Sequence, residues 1–194
     1  MSLILKWYLK YRYPKYQRAY RLAFDPDGYH RYPNELKAHL EGKSKAELFD
    51  SFKQTLQPYL AADKQSAGKE ALSQLADVTL ALPQILELSV QLINWKSLAN
   101  AQKKNLIALV AYLVSPIDII PEGAFGVAGL ADDALFASIA FNAVISGTSV
   151  QFVEAFWKGD KAVFESLCKA GNSSREALPS LYNEVLRAFQ NVFA

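Results

Sequence analysis

Apolar positions recur along this chain at intervals of three and four residues, and no sustained two-residue alternation bounded by turn residues competes with them. The pattern predicts an all-α fold. In the strongest stretch, Asn105 to Val114, Leu106, Ile107, Leu109, Val110, Leu113 and Val114 form one face while Ala108 and Ala111 fill the other. A second stretch, about Asp132 to Ser146, repeats the pattern with Leu135, Phe136, Ile139, Ala140 and Ala143. Helices that are apolar all round belong in a core. These two are therefore expected to form a central apolar hairpin, about 105–146, within a compact bundle of about eight helices. The short connection between them favours antiparallel pairing.

Capping and breaking residues set the other elements. Helices are expected over Ser2 to Tyr13 and from Pro14 to about Phe24, before the turn Asp25-Pro26-Asp27-Gly28. Asn34 is placed to cap a short helix ending near Gly42. Ser44-Lys45-Ala46-Glu47 has capping-box spacing and should open a helix reaching about Gln57. Leu72, Leu75, Ala76 and Thr79 trace one helical face, and Pro83 restarts the chain for a helix through about Trp95. Three more helices are expected over Ser149 to Trp157, Asp160 to Ala170 and Ser174 to Phe193. Gly171 would stop the second of these, and Ser173-Ser174-Arg175-Glu176 would cap the third. No internal repeat or low-complexity linker divides the chain, so 1–194 reads as one all-α domain. The polar stretch 63–69 marks where an N-terminal helical subdomain, 1–62, would separate.

With 51% apolar and 21% charged residues, the 194-residue chain lies far from the composition of disordered segments. It is long enough to bury a core without disulfides. Cys168 is the single cysteine, which fits a reducing compartment and a cytoplasmic location. An apolar run of only three residues, Leu3 to Leu5, precedes Lys6, so an export signal is not expected. Leu106 to Ile117 is short of the ~20 residues that cross a bilayer as a helix, and the uncharged run Ala134 to Val153 is polar in its second half. Both are expected to be core helices.

The net charge of +2 is too mild to specify a partner, but it is unevenly spread. The first 32 residues hold seven basic and two acidic side chains, with Lys6, Lys10, Arg12, Lys15, Arg18 and Arg21 interleaved among aromatics such as Trp7, Tyr11, Tyr16 and Tyr20. That mixture suits packed amphipathic helices whose basic stems lie on apolar surface, or an anionic membrane surface, in which case the protein would sit peripherally at the inner face of a membrane. Nucleic acid is the less favoured partner.

Candidate chemistry is concentrated between the two apolar helices, where Ser115-Pro116-Ile117-Asp118-Ile119-Ile120-Pro121-Glu122 leads through a Gly-rich turn to Asp132-Asp133. Antiparallel pairing would gather Asp118, Glu122, Asp132 and Asp133 at one end of the hairpin. Charge inside an apolar segment is costly unless paired, hydrogen-bonded or metal-bound. One expectation is capping, with Asp132 capping the second helix and Asp133 in its first turn facing the helix dipole. The other is a hard divalent cation, Mg2+, Mn2+ or Ca2+, on these four carboxylates. The glycines at 123, 126 and 129 match no phosphate-cradling fingerprint, and His30, His39 and Cys168 form no recognisable triad or zinc pattern. Asn142 is expected to be a structural amide and Cys168 an ordinary core or boundary residue.

Ser115, Pro116, Asp118, Pro121, Gly129, Asp132 and Asp133 stand at the motif positions of the YkvA family, a bacterial domain of unknown function that this stretch resembles over about Trp95 to Ile145. Glu122 stands where that family more often has aspartate, and Gly123-Ala124-Phe125-Gly126 replaces its second proline-containing segment. The resemblance implies a helical hairpin domain, sometimes described as membrane-associated, and implies no established reaction. The expected function is therefore a non-catalytic interaction or scaffold protein with a protein partner. The alternatives are a divalent-metal-dependent enzyme acting on a phosphate-containing substrate, and a peripheral membrane protein docked by its basic, aromatic N-terminus.

Overall fold

The computed structural model describes residues 34, 36–62, 64–113, 119–120 and 122–192. Among them the protein is all-α, with nine α-helices and no strand: α1 (Lys45–Thr55), α2 (Gln65–Leu80), α3 (Leu82–Asn94), α4 (Asn100–Leu113), α5 (Glu122–Phe125), α6 (Ala131–Ser146), α7 (Val150–Glu154), α8 (Lys161–Ala177) and α9 (Pro179–Asn191). Short 3-10 turns cover Gln57–Tyr59 and Gly126–Leu130. The two helices expected before Phe24, the turn at 25–28 and the basic residues Lys6, Lys10, Arg12, Lys15, Arg18 and Arg21 lie outside the described residues.

Local chemistry explains most boundaries. Ser44 Oγ accepts from the Glu47 amide at 3.2 Å while the Glu47 carboxylate accepts from the Ser44 amide at 2.8 Å, so the expected capping box opens α1. Residues 36–40 are helical, as expected, and Gly42, at φ +74°, takes the left-handed conformation that ends this short helical stretch. α2 begins at Gln65, so the polar stretch 63–69 is mostly its first turns, and the Ala61 amide donates to the Ala177 carbonyl at 3.0 Å, tying this link to the end of α8. Pro83 sits in the first turn of α3, as expected.

The centre is α6. It packs against α2, α4, α8 and α9, and every residue from Ala131 to Phe141 is buried. The helical stretch Gly126–Ser146 is long and apolar enough to cross a membrane, but 83% of its most apolar window is covered by the protein's own helices. α4 lies antiparallel to α6, with Leu106 to Leu113 buried throughout. At one end of this hairpin Tyr112 bonds Asp132. At the other, the Gln102 amide lies so close on Gly147 that a Cβ there would collide with it. α4 starts at Asn100, five residues before the apolar periodicity begins, because its first turns are polar.

Two C-terminal expectations are corrected. The helix begun at Lys161 does not stop at Gly171 but runs to Ala177, and Ser173-Ser174-Arg175-Glu176 lies inside it and caps nothing. The break comes at Leu178, held out of helical geometry (φ −129°, ψ 54°) before Pro179, which opens α9. Gly171 has a different use, because a Cβ there would stand 3.2 Å from both Ser138 Oγ and Asn142 Nδ2. Its hydrogen lets α8 approach α6. Ser138 Oγ donates to the Leu167 carbonyl at 2.6 Å and accepts from the Gly171 amide at 2.7 Å, so one hydroxyl of α6 bridges the two groups of a single rung of α8.

Candidate functional site

The best-defined polar site lies where α4 ends and α6 begins. Asp132 is the second residue of α6 and is completely buried. Its Oδ2 accepts from the Tyr112 hydroxyl at 2.6 Å, from the Ile119 amide at 2.9 Å and from the Ile120 amide at 3.3 Å. The side chain thus reaches across to α4 and to the connecting loop, while Leu130, not Asp132, occupies the N-cap of α6 and makes no side-chain bond there. The capping role expected of Asp132 is corrected accordingly. A short acceptor just inside a helix can hold a loop when that loop presents consecutive backbone N–H groups, which must find partners when buried.

The aromatic surroundings set the position of Tyr112. Phe136, one turn after Asp132, stacks on the Tyr112 ring with centroids 4.1 Å apart and planes 15° from parallel. Phe189 of α9 meets the edge of Phe136 at 5.5 Å. One face of α6 therefore offers an acceptor at 132 and a ring at 136, and Tyr112 satisfies both. A buried tyrosine normally needs a hydroxyl partner.

Burial pushes the Asp132 carboxyl up from its usual 3.8 to about 6, although the Tyr112 hydroxyl and the two loop amides pull the other way by stabilising the charged form. Burial, together with the Asp132 and Asp133 charges, drives the Tyr112 hydroxyl far above its ordinary range, so it acts only as a donor. Asp133 is also buried, at 5% exposure.

Of the four carboxylates expected at the hairpin tip, Asp132 and Asp133 are together in the first turn of α6. Glu122 is the first residue of α5, its side chain lying outside the description, and Asp118 lies outside the described residues. Among the described residues no group of three or more His, Cys, Asp or Glu side chains is placed to hold a metal ion. Asp132 Oδ1 is buried and has no hydrogen-bond partner among them. Asn142 is half-buried against Gly171, His39 is exposed, and burial raises the half-buried Cys168 thiol to about 11, which keeps it protonated and unreactive.

Two polar junctions escape a reading of the sequence. Tyr112 gives one signal, a polar tip within an all-apolar helix. The other junction gives none: Asp77 of α2 accepts from Lys45 of α1 at 2.7 Å and from Ser166 of α8 at 2.9 Å, joining residues up to 89 positions apart.

Comparison with known proteins agrees with the centre of this picture. Residues 103–139, from the first turns of α4 to the middle of α6, match a family described as "Protein of unknown function (DUF1232)". "Uncharacterized protein ORF9" of Methanothermobacter thermautotrophicus is 29% identical over 86 residues, 44% of this chain and 59% of that protein. The chain thus matches less than two thirds of that relative's length. No solved structure matches significantly.

Proposed function

We propose that this chain is a non-catalytic helical interaction protein in which the α4–α6 hairpin is a rigid frame and the binding surfaces lie outside it. The observation that supports this reading most directly is the use made of Asp132. One oxygen of Asp132, a fully buried acid of the motif, is taken up by three donors of its own chain, and the carboxylate is closed to solvent. A carboxylate so employed pins a loop between two helices. It is poorly arranged to meet a substrate, since catalytic groups must come within hydrogen-bond reach of the reacting atoms.

A second reading has one specific observation in its favour. Asp132 Oδ1 is buried without a hydrogen-bond partner among the described residues, and a buried carboxylate oxygen normally has one. A hard cation shared with Asp118, Glu122 and Asp133 would meet that need and could polarise a phosphate-containing substrate.

Thermal unfolding in Mg2+, Mn2+ and Ca2+ separates the two readings, because a ligand that binds only the folded state raises the melting temperature by mass action. The interaction reading expects no rise, or the same rise in wild type and in Asp118→Asn/Asp132→Asn. A rise in wild type that disappears in the double variant would replace it with the metal reading.

A further inference from the structure

We draw no further inference here: the strongest candidate, the partly exposed aromatic surface patch of Trp95, Phe152 and Phe156 where the link from α3 to α4 meets α7 and the residues after it, carries nothing because nothing in the structure shows what covers it.

Discussion

Asp132 combines two opposed demands on one side chain. Burial favours its neutral form, yet the Tyr112 hydroxyl and the loop amides of Ile119 and Ile120 are arranged for an acceptor. Because its folded value of about 6 lies above the usual 3.8, the folded protein keeps a proton between those values that the unfolded chain has released. Its contribution therefore favours folding most at the acid end of that window, declines as pH rises toward 6, and is constant above it. Asp132→Asn should flatten the dependence of melting temperature on pH between 4 and 6, measured with chelator present, and an unchanged slope would assign the titration to another group. The sequence makes Asp132 conspicuous as a charge beside an apolar helix. It does not reveal the partner, because Tyr112 lies 20 residues away and pairs with it only through antiparallel packing.

The element scale shows why local signals succeed at some boundaries and fail at others. Ser44 and Glu47 cap α1 because both partners lie within four residues, and Pro83 restarts α3 because proline acts on its own backbone. Gly171 and Ser173-Ser174-Arg175-Glu176 carry equally good local signals, but α8 runs through them, and Ser174 and Ala177 beyond Gly171 are buried. Tertiary packing overrides a weak preference of this kind. Leu178-Pro179 is the stronger punctuation. Gly171→Ala tests the distinction through its sign. In an open helix it would stabilise by about 1 kcal/mol. Here its Cβ would meet Ser138 Oγ at 3.2 Å, an atom held by two hydrogen bonds. The variant should therefore lose roughly 1 kcal/mol or more in urea unfolding, a cost typical of overpacking. A gain would mean that α6 and α8 can part slightly without penalty.

For the whole molecule, the apolar periodicity that identifies α4 and α6 also identifies the core, because helices without a polar face must be enclosed on every side. The hairpin and the all-α class were legible for that reason. How the amphipathic helices surround it was not, since an apolar stripe on α2 or α8 specifies that it is buried and leaves open against what. Phe136 is a sensitive probe of that arrangement, being fully buried between Tyr112 of α4 and Phe189 of α9. Phe136→Ala should destabilise by about 3–5 kcal/mol, read from denaturant unfolding, and should lower the near-ultraviolet dichroism of the stacked tyrosine. A loss below about 1 kcal/mol would argue against this enclosure.

The hydroxyl of Ser138, shared by the Leu167 carbonyl and the Gly171 amide, gives the protein a gauge of its own breathing. Deuterium uptake at the Gly171 amide should follow the parting of the central rod from its neighbour and stay insensitive to fraying at the end near Ala177. That single proton can therefore time the opening of the interior.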